Sequence, residues 1–310
     1  NTLMDALVML NAYRGTTVFG ARADIFNNKF IGKLMTYIRI LPMVRQRDGL
    51  RNVLKNKDTQ ETIVETLEHG VRFCMFPEGK HRTKHSLQVF GKGAFRAAIA
   101  ANNKFGNDRP IYIIPVGIEY GDYFRYRSTH LVNYGKPINV TEFIKNLDVE
   151  NEAQIMDPLR KEVAARMSEL ITYINYDENY DAKWALTKIR AIDFKGSLYD
   201  KMMNNRALVA EINKEYEENP EQMQDVFAKV TTFEKARRKK GISIYSFGKK
   251  NLALNVVGKG LAGILGLPYL IFSGIVALPQ WALAVFLKKV IRDKAFRNTS
   301  APVTAEPMFR

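Results

Sequence analysis

From Gly260 to Leu287 the chain carries no charged residue. Spanning the hydrocarbon core of a bilayer takes about 20 predominantly apolar residues, and this stretch is longer. Pro268 and Pro279 break it, and basic residues flank both sides: Lys249, Lys250 and Lys259 before, Lys288, Lys289 and Arg292 after. Positive flanks at both ends disfavour a simple crossing, because the positive-inside bias would put both ends on the cytoplasmic side. A re-entrant or interfacial hairpin, with Trp281 near the headgroups, satisfies both facts. A tilted single span and a soluble hydrophobic core are the other arrangements open to it.

The formal net charge of +15 asks for an anionic partner. A nucleic-acid binder would carry a recognisable module or interleaved stacking aromatics, and neither is clear. The expected partner is therefore a phospholipid membrane surface, with no nucleic acid, and the expected location is the cytoplasmic face of a membrane. The run Lys235-Ala236-Arg237-Arg238-Lys239-Lys240 lies shortly before the apolar stretch. A charge run is most often a solvated face, but here it is placed to hold anionic headgroups at about 1 kcal/mol per basic residue. One cysteine, Cys74, excludes disulfides within the chain and fits a reducing environment. No Cys/His cluster of metal-ligand type occurs, so no metal is expected. Gly91-Lys92-Gly93-Ala94-Phe95-Arg96 reads as the opening of a helix from Ala94 to Ala101 rather than as a nucleotide loop.

The N-terminal part reads as alternating strands and helices. Arg72-Phe73-Cys74-Met75-Phe76 has the composition of a buried strand, and Pro77 must end its ladder. Glu78 and Gly79 then stand where a sheet gives way to a loop, the usual place for chemistry in an α/β fold. Gly79 admits close approach of backbone amides to a ligand. Ile111-Tyr112-Ile113-Ile114-Pro115-Val116-Gly117-Ile118 is a second buried strand, interrupted by a proline. Ile40-Leu41-Pro42-Met43-Val44-Arg45-Gln46-Arg47 is a short apolar segment running into two arginines. The chain opens Asn1-Thr2-Leu3-Met4-Asp5-Ala6-Leu7.

In this order the four segments resemble the motifs of the glycerol-3-phosphate and 1-acylglycerol-3-phosphate (lysophospholipid) acyltransferase family. That family has a His-(x)4-Asp-type motif, an Arg-containing motif, a Phe-Pro-Glu-Gly motif and an apolar Ile-Pro motif. The resemblance covers residues 1 to about 145 and closes near Val132-Asn133-Tyr134-Gly135-Lys136-Pro137-Ile138. It implies a cofactor-free transfer of a fatty acyl group from acyl-CoA or acyl-carrier protein to glycerol-3-phosphate or a lysophospholipid. It also implies a catalytic histidine just before Asn1, so this chain alone is expected to be inactive. Where the family continues Glu-Gly with Thr-Arg or Thr-Ser, this chain has the basic Lys80-His81-Arg82.

Acyl transfer to an alcohol needs a general base, and an imidazole is suited to it, contributing roughly two to four orders of magnitude. A neighbouring carboxylate holds the tautomer and stabilises the imidazolium. By resemblance Asp5 is that catalytic carboxylate; as a residue alone, it equally suits the first turn of a helix. By resemblance too, Arg45, with Arg47 in reserve, binds the acceptor phosphate, since a guanidinium takes phosphate bidentately. Glu78 and Gly79 contact the acceptor, Lys80 and Arg82 add positive charge, and Ile114 and Pro115 line the acyl chain, although a core strand also accounts for that pair. His81 and His85 are expected to be solvated loop residues, His69 a helix-end residue and His130 the opening of a strand.

The chain is thus expected to be an α/β protein with a mixed sheet flanked by helices and a helical, membrane-associated C-terminal region. Its parts would be an acyltransferase domain (1–145), a helical extension (146–250), an apolar membrane segment (251–298) and a tail (299–310). Within the extension, helices are expected over Pro158–Ile174, Ala207–Glu218 and Gln222–Lys240, the last two divided at Asn219-Pro220. A membrane-associated lipid-binding protein that keeps the fold without catalysis is the alternative.

Overall fold

The computed structural model describes residues 2–13, 15–22, 26, 29–43, 53–79, 82, 84–106, 108–121, 128–147, 149, 151–244, 247 and 252–290. The chain divides into two compact units. One joins Asn1–Gly121 to Thr129–Tyr173, and the other joins Asp122–Ser128 to Ile174–Arg310.

The first unit opens with α1 (Thr2–Ala12), β1 (Thr17–Arg22), α2 (Lys29–Tyr37), β2 (Ile40–Met43), α3 (Val53–Glu68) and β3 (Arg72–Cys74). The three strands form a parallel sheet in the order β2-β1-β3, as strands separated by helices must when they share a sheet. β2 carries Pro42, which has no N–H to give, and stands at an edge of the described sheet. Only Arg72–Cys74 of the expected strand pairs, and β3 is likewise an edge strand. Arg72 is exposed and Cys74 half-buried, which corrects the expectation of a fully buried run.

After α4 (Gly93–Phe105), the expected proline-interrupted strand is two strands, β4 (Tyr112–Ile113) and β5 (Val116–Tyr120). They take different antiparallel partners: β4 pairs with β7 (Ile138–Asn139), and β5 with β6 (His130–Tyr134). Pro115 is the switch between ladders: it cannot donate, and its carbonyl accepts from Gly135 N at 2.8 Å. The mixed strand directions thus lie in three small sheets. The unit closes with α5 (Val140–Leu147) and α6 (Glu152–Ser168), whose Ile155, Met156, Leu159 and Val163 pack with Phe95, Ile99, Ile111 and Val140 in one core. The helix expected over Pro158–Ile174 therefore starts and stops six residues earlier. Asn151 caps it by accepting from Ala153 N, and Pro158 sits inside the helix rather than at its start. This compact unit runs past the 145 boundary, which falls within α5, to Tyr173.

The second unit contains α7 (Tyr180–Arg190), α8 (Leu198–Glu218), α9 (Pro220–Lys239) and α10 (Leu252–Val290). Ala182, Ala185, Leu186, Ile212, Met223, Phe227 and Val230 form a core among α7, α8 and α9. The division at Asn219-Pro220 is as expected, with Pro220 at the start of α9. α10 differs from the expected hairpin: it is one helix of 39 residues with Pro268 and Pro279 inside it. Each proline removes one backbone bond, to the carbonyls of Ile264 and Ile275, and the helix continues on the remaining ones.

Candidate active site

α1 is joined to β1 by a short connection and packs against it. A helix so placed runs back along the strand, so its first turn lies by the carboxyl edge of the parallel sheet. That first turn holds Asp5. The same edge receives the chain as it leaves β3 through Met75 and Phe76 into the Phe-Pro-Glu-Gly turn.

The turn is closed by Gly79 N donating to Phe76 O at 3.3 Å, with Pro77 presetting its second position. Gly79 has φ 61°, and a side chain there would meet open space, so its requirement for glycine is conformational rather than steric. Gly91 N donates to Pro77 O at 2.7 Å, which stitches the following loop back onto the turn. Arg160 of α6 secures the far end of that loop by donating to Phe90 O at 2.8 Å.

Glu78 projects from this turn and is half-buried. Burial pushes its carboxyl above the ordinary carboxylate range, and the nearby charge of Asp5 pushes the same way. Hydrogen bonds from Gln88, one from Nε2 to Oε2 at 3.2 Å, and the Arg82 guanidinium oppose that shift. Glu78 is therefore within electrostatic reach of Arg82 in its own loop and of Asp5 far away in sequence. Arg82 Nη2 also donates to Ser86 Oγ at 2.7 Å and to Leu87 O at 3.2 Å, so it shapes its own loop as well as facing Glu78. Asp5 Oδ1 accepts from the phenol of Tyr120, the last residue of β5. Tyr120 had no signal in the sequence beyond its place at the end of an apolar strand.

Arg45, Arg47, Lys80 and His81 lie outside the described residues. Ile114 and Pro115 part company: Ile114 is 47% exposed while Pro115 is fully buried. The pair therefore does not present one continuous surface. His69 follows the end of α3 and His130 opens β6, as expected. His85 does not match the expectation of a solvated loop residue. Its Nδ1 lies 3.7 Å from Oε1 of Glu119, a carboxylate only 6% exposed, whose other oxygen accepts from Thr172 N at 3.0 Å. Burial raises the Glu119 carboxyl too. Alternation along β5 puts Glu119 and Tyr120 on opposite faces, so this pair is separate from the Asp5 cluster. Cys74 is a free thiol pushed up to about 11 by burial, which suits a structural residue and not a nucleophile. Among the described residues no group of three or more His, Cys, Asp or Glu side chains is placed to hold a metal ion.

No curated protein and no solved structure matches this chain. Residues 1–119 match the family model described as Acyltransferase, a span that holds Asp5, the Phe-Pro-Glu-Gly turn and β5 almost to its end. Over that span the chain is similar to the acyltransferase family, to which the glycerol-3-phosphate and lysophospholipid acyltransferases belong.

Proposed function

We propose that this protein is a glycerolipid O-acyltransferase of phospholipid synthesis, moving a fatty acyl group from acyl-CoA or acyl-carrier protein to glycerol-3-phosphate or a lysophospholipid. The observation that carries the reading is the match of residues 1–119 to the acyltransferase family, a span in which the charges of Asp5 and Arg82 both act on Glu78 in the turn after β3. In the mechanism that the family resemblance implies, a histidine base takes the proton of the acceptor hydroxyl as its oxygen attacks the thioester carbonyl. The thiolate leaves, collects a proton, and no acyl-enzyme forms. Asp5 orients the imidazole and stabilises the imidazolium. Glu78 and the Gly79 backbone hold the acceptor's free hydroxyls. Arg45, with Arg47, Lys80 and Arg82, supplies positive charge for its phosphate. Ile114, the exposed member of its pair, lies along the acyl chain.

The membrane belongs to the same proposal. α10 has a stretch, Gly263–Ala282, long and apolar enough to cross a bilayer, and Ile264, Leu265, Ile271, Phe272 and Ile275 are exposed along it. A helix that is apolar all round has lipid or protein as its surroundings. Placement on the cytoplasmic face would deliver the enzyme to lipid acceptors and soluble donors together.

The product of the complete reading frame, in detergent or liposomes, tests this. Thiol release from palmitoyl-CoA is followed with glycerol-3-phosphate and then with lysophosphatidate, for wild type and Asp5→Ala. Acceptor-dependent release should fall by about three orders of magnitude or more in the variant. Release that Asp5→Ala leaves intact would sink the mechanism. Absence of release with any thioester donor and either acceptor would favour a fold kept for binding lipid.

A further inference from the structure

We propose that Tyr120 is a positioning residue for Asp5, its phenol fixing the carboxylate that orients the base. The inference rests on the acyltransferase reading and adds to it a residue from outside the four motifs. It also lies just beyond residues 1–119, the span that matches the family.

Asp5 sits on α1, and an aspartate side chain on a helix has rotamers to choose from. Catalysis through an imidazole tolerates only one, because the carboxylate must face the ring nitrogen opposite the one that takes the proton. The helix itself does not supply that constraint. β5 does. Its alternation buries Gly117 and Glu119 on one side and turns Val116, Ile118 and Tyr120 to the other. α1 packs against β6, the partner of β5, and Tyr120 pairs with His130 in that ladder. The phenol reaches Asp5 from the paired end of a strand and donates to Oδ1 at 2.5 Å, the short range of an O–H donor on a carboxylate.

The chemistry gives the phenol two effects. It selects the rotamer, and it draws charge density from the carboxylate that stabilises the imidazolium. Glu78 is a second carboxylate within electrostatic reach of Asp5, and the Arg82 charge acts on Glu78 in turn. Removing the phenol leaves Asp5 a stronger but less well-aimed partner. Removing the Asp5 charge leaves the imidazolium with no such partner. The two losses therefore move the base in opposite directions.

Tyr120→Phe deletes only the donor and keeps the ring. In the thiol-release assay on the complete protein its kcat should fall about tenfold to a hundredfold, the worth of one charge-assisted hydrogen bond, with KM for acceptor unchanged. The acid limb of its pH–rate profile should move to higher pH, while that of Asp5→Asn moves to lower pH. In the Asp5→Asn background Tyr120→Phe should cost less than threefold, since nothing is left to aim. A merely structural tyrosine would lower activity equally in both backgrounds and leave the acid limb in place, and either result overturns the proposal. If Tyr120→Phe does not fold, Tyr120→His, which keeps a ring N–H donor, should retain more activity than Tyr120→Leu. Equal loss in those two also overturns it. Intact activity in Asp5→Asn would instead refute the underlying mechanism, which separates the two failures.

Discussion

Glu78 shows at the scale of one residue how a site is held against its own stability. Burial raises its carboxyl against the Gln88 hydrogen bonds and the Arg82 charge, and Asp5 adds the smallest push. A carboxyl raised in the folded state binds its proton more tightly there than in the unfolded chain. Its contribution to stability is therefore largest below the ordinary carboxylate range and is lost as pH climbs through the raised value. Glu78→Gln removes that loss while its amide oxygen still accepts from Gln88. We expect the variant to match or exceed wild type in urea midpoint at pH 7, with the difference closing at pH 4. Its acyl transfer should drop about tenfold or more, because a charged acceptor of hydroxyl protons is gone. A variant less stable than wild type at pH 7 would show that the ionised carboxylate stabilises the fold.

At the scale of elements, the close fit of β5 against the segment after α6 is the sharpest constraint. A Cβ on Gly117 would lie 2.7 Å from both Cβ and the carbonyl oxygen of Leu170, and 2.8 Å from Ile171 Cγ2. Backbone cannot yield as a side-chain tip can. Gly117→Ala should therefore cost about 1–3 kcal/mol, read as a lower denaturant midpoint at unchanged slope. An unchanged midpoint would mean that the segment from Leu170 to Thr172 can lift away from the strand. That would also release the Thr172 amide from Glu119. The helices of the second unit rest on similar local devices. Ser197 and Asp200 form a reciprocal cap at the start of α8, and Arg190 of α7 reaches Glu215 of α8 through both of its terminal nitrogens. α7 had escaped the sequence reading. Two of its three core residues are alanines, Ala182 and Ala185 beside Leu186, and they give a weak periodic signal until Phe227 and Met223 are packed with them.

At the scale of the whole molecule the apolar helix and the basic run make separable predictions. α10 at 39 residues is about 58 Å long, so a span through a hydrocarbon core of about 30 Å leaves helix on at least one side. In a liposome flotation assay the protein should float, and Leu270→Arg with Ile275→Arg should abolish it, each arginine costing about 2.5–3.5 kcal/mol at mid-helix. The basic run acts more weakly than its composition implies. Arg237 and Arg238 fold back onto Glu234, and Lys235, Lys239 and Lys240 are left at the surface. Neutralising those three lysines should remove the salt-sensitive part of the binding, about 1 kcal/mol per residue, and leave the rest. A wild-type protein that stays at the bottom of the gradient would sink the membrane proposal.

Much of this molecule is local, and the local part was legible. Pro77 presets the turn after β3 because its ring fixes φ, Gly79 takes a positive φ because it lacks a Cβ, Asn219-Pro220 parts two helices, and the uncharged run from Gly260 is long and apolar enough to cross a bilayer. These are properties of single residues or short windows, although β3 stops pairing at Cys74, before Pro77 is reached. The rest depended on what lies across space. Pro268 and Pro279 read as breaks, yet a helix held by many other backbone bonds absorbs one missing bond at each. Pro115 read either as a lining residue or as part of a core strand, and it is buried where it hands the chain from one ladder to another. His85 read as solvated until β5 brought Glu119 beside it. Asp5, the Glu78–Arg82 loop and Tyr120 came from three places in the chain, and only the packing of α1 beside the parallel sheet and the β5–β6 ladder put one carboxylate under a phenol and within the field of another.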